Sequence, residues 1–110
     1  MVKVMFLVKS KPGVSREEFC RHYEEVHVPL ALKCFPTFKR YVRNYVIATP
    51  DAEEPGFDCI TEIWFDNMEA CQETVDLWGS EAGQAIREDE ETFMDRDKTV
   101  SFLVEEKATK

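Results

Sequence analysis

The chain holds only two histidines, and both fall in one stretch: Phe19-Cys20-Arg21-His22-Tyr23-Glu24-Glu25-Val26-His27-Val28-Pro29-Leu30-Ala31. Imidazole titrates near pH 6.5, so it is the side chain best placed to give and take a proton at neutral pH. Wound at about 100° per residue, Phe19, Tyr23, Val26 and Leu30 make one apolar stripe. His27 then lies on one edge of that stripe beside Cys20, and His22 on the opposite edge. Two residues after His27, Pro29 has no N–H to offer the carbonyl of Glu25, and its ring crowds that turn. A kink or break is expected there. An imidazole beside a loosened turn can face a cavity between helix and sheet. The same position also suits a hydrogen-bonded structural histidine.

Two more titratable groups fall on predicted strands. Glu62 stands between Ile60 and Trp64, and a buried carboxylate there needs a partner: Arg40 or Arg43 in an ion pair, or a place in a site. Tyr45 offers a phenol, which donates a hydrogen bond or a proton but is a poor base at neutral pH. His27, Glu62 and Tyr45 are therefore the expected catalytic set, with Glu62 or Tyr45 holding the imidazole or the substrate. The cysteines, Cys20, Cys34, Cys59 and Cys71, form no C-x-x-C pair and have no histidine at metal-ligand spacing. They are expected as reduced, small hydrophobes and not as zinc ligands, and no metal or other cofactor is expected.

The elements that must position these groups are legible from periodicity. Residues 2–9 alternate as a strand, with Val2, Val4, Phe6 and Val8 on one face. Lys11-Pro12-Gly13 is a turn. Ser15-Arg16-Glu17-Glu18 is a capping box that opens the histidine-bearing helix. After the break at Pro29, a short segment runs to about Cys34. Residues 38–48, rich in Tyr, Val and Ile, make a second strand, 49–56 a loop, and 58–65 a third strand. Asp66 is expected to cap the next helix, whose stripe is Met68, Cys71, Val75 and Trp78. Gly79-Ser80 breaks it. A further helix turns Ala82, Ala85, Ile86 and Phe93 inward, and its acidic run Glu88-Asp89-Glu90-Glu91 is expected on an exposed face. Residues 97–105 give the last strand, with Val100, Phe102 and Val104 facing together.

This order, βαββαβ in 110 residues, predicts a single α+β domain over 1–110: a ferredoxin-like sandwich with a four-stranded antiparallel sheet and helices on one face. The other face lacks cover. With apolar residues such as Leu7, Ile63 and Leu103 assigned to it, it is expected to bury itself against a second copy, making a homodimer.

Net charge narrows the partners. The chain carries −8 overall, split into +5 over residues 1–44 and −13 over 45–110. An acidic protein repels phosphate backbones, which argues against nucleic acid. The cluster Lys33, Lys39, Arg40 and Arg43 could attract an anion or an acidic surface, or simply be solvated. No apolar run reaches the roughly 18–20 residues of a membrane helix, and the start lacks the pattern of a signal peptide, so a cytoplasmic location is expected.

Several stretches together resemble the EthD-domain family: the opening V-K-V-M-F-L-V-K-S-K-P-G, then H-Y-E-E-V-H-V-P-L-A, R-Y-V-R-N-Y-V, D-C-I-T-E-I-W-F-D and the ending F-M-D-R-D-K-T-V-S-F-L-V-E-E. The resemblance covers nearly the whole chain and implies the dimeric α+β barrel superfamily, in which two ferredoxin-like sheets pack face to face. Residue by residue, it implies that His27, the histidine of H-x-P-L, is the acid or base. Glu62 and Trp64 match the E-x-W of the third strand, Asp58 the acid at that strand's start, and Asn44 the second-strand Asn. Tyr45 departs from the pattern, since many relatives carry His there. Tyr23, Asn44, Asp58 and Trp64 are the expected substrate-binding residues, around a small-molecule ligand in a helix–sheet pocket.

The fold hosts several activities, so the resemblance does not by itself name one. The leading expectation is a cofactor-free enzyme that isomerises, decarboxylates or cyclises a small aromatic or polyketide-like compound. The resemblance implies two alternatives: a non-catalytic accessory protein for a degradative oxidase of the cytochrome P-450 type, and a cofactor-free monooxygenase using types present here as Asn44, Trp64 and His27. A muconolactone isomerase fits less well, because those relatives carry Cys where this chain has Ile63. A haem enzyme has only His27 as a candidate ligand.

Overall fold

The computed structural model describes residues 1–51, 53 and 55–110. The elements run β1 (Val2–Val8), α1 (Arg16–His22), a π-helical turn (Tyr23–His27), α2 (Val28–Cys34), β2 (Arg40–Tyr45), β3 (Cys59–Phe65), α3 (Met68–Gly79), a 3-10 turn (Glu81–Gly83), α4 (Gln84–Phe93) and β4 (Val100–Val104). The strands form one antiparallel sheet in the order β2-β3-β1-β4, the ferredoxin-like arrangement. The expected loop 49–56 includes 52 and 54, which lie outside the described residues.

Local chemistry explains the boundaries. Gly13 takes φ of 89°, which closes the turn after Pro12 and is open to glycine at no steric cost. Ser15 Oγ accepts the Glu18 N–H at 3.1 Å and starts α1. The α3 cap is Asn67 and not Asp66: the helix begins one residue later than expected, and the Asn67 side chain accepts the Ala70 N–H at 2.9 Å. Asp66 instead lies 3.5 Å from Lys39.

The break expected at Pro29 is absent. The helical path runs on through a π-helical turn, in which the Val28 N–H reaches back to the Tyr23 carbonyl. That wider turn ends just before Pro29, which sits in the first turn of α2, where a missing N–H costs nothing. Residues of a π turn also advance by less than 100° each. His27 therefore swings from the edge of the stripe onto the buried face of Tyr23, and Val26, expected inward, is turned out and exposed.

Strand register decides which side chains meet the helices. Val4↔Ile63, Phe6↔Thr61 and Val8↔Cys59 pair on the helix-covered face, which continues into Tyr41 and Tyr45 of β2. The core lies there, around Val8, Phe19, Tyr23, Cys59 and Phe93 at one end and Val4, Ile63, Phe65 and Cys71 at the other. Ile63 and, through its pairing with Val4, Leu103 belong to this face and not to the uncovered one. The uncovered face carries Met5, Leu7, Ile60, Val42 and Phe102 around a charged centre described below.

Two expectations for α4 also change. Ala82 and Ala85 are exposed, because the 3-10 turn resets the helical phase before α4 begins at Gln84; Ile86 and Phe93 remain buried. The acidic run divides. Glu88 and Glu91 are exposed, whereas Asp89 and Glu90, flanking the Ile86–Phe93 stripe, turn inward with side chains only 12% and 17% exposed. The Lys11 N–H to Phe93 carbonyl and Asp95 N–H to Lys9 carbonyl bonds, 2.9 and 2.8 Å, pin the end of α4 to the end of β1.

Candidate active site

Between the helices and the sheet lies a cavity of about 620 Å³. Its floor is Val4, Phe6 and Val8 of β1 with Thr61, Ile63 and Phe65 of β3. Tyr23, His27, Ala31 and Phe35 roof it, and Met68, Val75 and Leu103 stand at its open side. The walls are mostly apolar, with polar groups that include His27, the Tyr23–Thr61 pair, Tyr41, Glu90, Trp78 and Arg96. A cavity of this size and lining suits a small organic ligand.

His27 is the titratable centre. Its Nδ1 lies 2.9 Å from Asp89 Oδ2, and its ring packs edge-on against Tyr23 with centroids 5.3 Å apart and against Phe93 at 5.1 Å. A carboxylate only accepts, so Nδ1 carries the proton and donates. Among the described residues no side-chain nitrogen or oxygen is both buried and unpartnered. Nε2, which has no hydrogen-bond partner among the described residues, is thus open to the cavity that His27 lines. Burial lowers the imidazole's pKa below its ordinary value, and the Asp89 hydrogen bond and charge only partly oppose this. The shift favours the uncharged ring, in which Nε2 carries the basic lone pair.

Tyr23 is the second sequence-predicted residue in the cavity wall. Its hydroxyl and that of Thr61 are 2.6 Å apart, and burial pushes the phenol well above its usual pKa. Tyr41, missed by the sequence reading, stands beside them, also raised mainly by burial. Glu90 lines the far side and accepts the Trp78 indole N–H at 3.1 Å; burial raises its carboxyl, against the pull of Trp78 and Arg96.

The remaining candidates lie elsewhere. Tyr45 is on the helix side, but behind Tyr23. Its hydroxyl donates to Glu24 Oε2 at 2.5 Å, and Glu24 also takes a fork of two bonds from Arg43 at 2.8 and 2.7 Å. Asp58 anchors the end of β1, accepting the Ser10 N–H at 2.8 Å.

Glu62, Asn44 and Trp64 face the opposite side of the sheet. There Glu62 is 2.5 Å from Lys3 Nζ and accepts from Asn44 Nδ2 at 3.0 Å, while Lys3 and Arg40 lie 4.5 and 4.9 Å from the Trp64 ring centre. The half-buried carboxylate does find a cation, but it is Lys3 and neither arginine. Strand alternation places Glu62 and Thr61 on opposite faces, so Glu62 cannot hold the imidazole across the sheet. Asp89 holds it instead. The only sequence signal for Asp89 was its spacing, three residues after Ile86 and four before Phe93, which puts a carboxylate on the flank of a buried stripe.

The cysteines act as apolar filler. Cys59 and Cys71 are buried and Cys20 and Cys34 half-buried, all four as free thiols. Burial pushes the Cys59 thiol up to about 11 and raises Cys20 and Cys71 as well.

Comparison with known proteins agrees with this architecture. A crystal structure of an ethyl tert-butyl ether D (EthD) family protein from Bacillus halodurans superposes with a TM-score of 0.72 at 21% identity, covering 97% of this chain and all of that one. An Arabidopsis thaliana protein gives 0.70 at 18% identity, covering 100% and 99%. A dimeric protein of unknown function and ferredoxin-like fold from Bacteroides fragilis gives 0.59 at 13%, covering 94% and 91%. No curated protein matches the sequence. No helix among the described residues is long and apolar enough to cross a membrane. The family model of the EthD domain matches residues 11–97, which contain His27, Asp89 and most of the cavity wall, and the chain therefore belongs to the EthD-domain family.

Proposed function

We propose that this protein is an enzyme that moves a proton on a small, largely apolar, aromatic or polyketide-like compound, with His27 as the general base and then the general acid. One observation carries the reading: an imidazole whose Nδ1 is 2.9 Å from the Asp89 carboxylate lines a cavity of about 620 Å³ with mostly apolar walls. In such a site Nε2 takes a proton from an acidic C–H or O–H of the ligand, and the positive charge that develops is balanced by Asp89. Returning the proton to another atom completes an isomerisation or a ring closure. Tyr23 and Thr61 are placed to donate a hydrogen bond to a developing oxyanion, and Tyr23, raised in pKa, stays protonated to do so.

The reading extends to a homodimer. The uncovered sheet face carries Met5, Leu7, Ile60 and Phe102, with Val100 and Phe102 each 45% exposed, and a structurally similar protein is described as dimeric. Sedimentation at micromolar concentration is expected to give a mass of twice 12.8 kDa.

The test begins with a metabolite screen of aromatic and polyketide-like compounds by thermal shift, followed by turnover of the hits. His27→Ala is expected to lower the rate by about 10²–10⁴-fold while leaving ligand-induced stabilisation in place. Full turnover by that variant would eliminate the mechanism. A ligand that binds tightly and is recovered unchanged would establish an accessory binding role, and oxygen uptake on binding a cofactor-free oxygenase.

A further inference from the structure

Asp89 does not serve His27 alone. Its two oxygens hold the two imidazoles of the chain: Oδ2 is 2.9 Å from His27 Nδ1, and Oδ1 is 2.8 Å from His22 Nε2. The two rings live in different surroundings. The His27 side chain is 6% exposed and lines the cavity. The His22 side chain is 28% exposed and lines a separate, open depression of about 290 Å³ between α1 and the end of α4. Phe93 fills the space against both, with ring centroids 4.6 Å from His22 and 5.1 Å from His27. One carboxylate thus joins a solvent-facing imidazole to a cavity-facing one.

We propose that His22 is a positioning residue for His27, acting through the shared Asp89 carboxylate, so that protonation at the solvent-facing imidazole weakens the hold on the cavity imidazole and tunes its basicity. This rests on the reading of His27 as the acid–base group.

The physical argument is one of competition. Because a carboxylate only accepts, both contacting nitrogens carry protons, and His27 is locked as the Nδ1–H tautomer whenever it is neutral. With His22 neutral, the charge of Asp89 is available to stabilise a proton arriving at His27 Nε2. With His22 protonated, that charge is largely compensated, and a second imidazolium at the other end of the same carboxylate is repelled. His27 then resists protonation and stays a free base to lower pH.

The other groups around each ring do not replace this link. Glu18, Arg21, Glu25 and Thr92 line the depression with His22. Of these only Thr92 approaches hydrogen-bond distance, with Oγ1 at 3.4 Å from Nε2. On the cavity side Tyr23, Tyr41, Glu90 and Arg96 face His27. None of them is hydrogen-bonded to it among the described residues.

The test needs no substrate. His22→Gln keeps a donor for Asp89 but removes the titrating charge, and it leaves one imidazole, so its ¹⁵N ring signals need no assignment. In the wild type the two rings should titrate as coupled steps. In His22→Gln, His27 should follow a simple one-proton curve with its midpoint about half a pH unit or more higher. In Asp89→Asn the Nδ1–H tautomer should lose its dominance, and adding His22→Gln should shift the midpoint little further.

An unchanged His27 midpoint in His22→Gln would overturn the proposal, as would a shift of the same size in the Asp89→Asn background. If a variant fails to fold, the wild-type titration decides alone: two independent curves would overturn it. Coupling without any turnover would sink the proposed function only, and turnover without coupling would sink only this inference.

Discussion

Nδ1 of His27 and Oδ2 of Asp89 meet at 2.9 Å across 62 residues of sequence, one from the π-helical turn and one from the flank of α4. The bond ties these two helical elements together above the cavity. It also settles which nitrogen of His27 is left for chemistry, because the donor is committed to the carboxylate.

Asp89→Asn should therefore affect stability and chemistry together. A charge-assisted hydrogen bond to a poorly exposed group contributes about 1.5–3 kcal/mol, and here two imidazoles share the acceptor. Urea denaturation should show a loss of about 1–3 kcal/mol at pH 7. A loss of a few tenths or less would mean that solvent replaces Asp89 without cost.

The buried state of His27 predicts an acid-side instability. Its folded pKa is lowered, chiefly by burial, so below the unfolded value near 6.5 the unfolded chain binds the extra proton more readily than the folded one. Stability should fall as pH drops through about 6.5 toward the folded pKa. Urea midpoints measured from pH 8 to 5 should show that slope, and His27→Phe should flatten it. A midpoint rising toward acid over this range would contradict the assignment.

Glu62 carries a linkage of the same sign in a more acidic window and sits on the other side of the sheet. The Lys3 hydrogen bond lowers its pKa below the usual carboxylate value, so its contribution is present above about 4.5 and is lost as pH falls through the folded pKa. Glu62→Gln should cost about 1 kcal/mol at pH 7 and much less in acid. It should leave the His27 ring signals and ligand-induced stabilisation unchanged. A His27 shift in this variant would show that the two faces of the sheet communicate.

Gly83 allows the close approach of α4 to the end of α3. A Cβ built there would meet the carbonyl oxygens of Leu77 and Trp78, and would lie 2.7 Å from the Trp78 carbonyl carbon, all backbone atoms that cannot simply rotate away. Gly83→Ala should destabilise the chain by about 1–3 kcal/mol, in the range of overpacked cores. It should also weaken ligand binding, since Trp78 and Glu90 line the cavity on either side of this junction. Thermal melting with and without a cavity ligand reads both effects.

The sequence by itself determined the element order, the ferredoxin-like class and the capped start of α1, and it singled out the stretch around His27. These follow from short-range periodicities of 2 and 3.6 residues and from capping and turn chemistry, all of which act over a few positions. It also showed that Glu62 and Thr61 lie on opposite faces of one strand. It could not say which face the helices cover, because Met5 and Leu7 alternate with Val4 and Phe6 and both faces of β1 read as apolar. That choice belongs to tertiary packing, and it moved Glu62, Asn44 and Trp64 to Lys3 and away from the cavity. The π-helical turn likewise arose from the continuous packing of the helix past Pro29, and it rotated His27 from an edge to a buried face. Asp89 was hidden for the deepest reason. Among four consecutive acids, only the approach of α4 to a helix some 60 residues earlier in the chain selects the one that finds an imidazole on each oxygen.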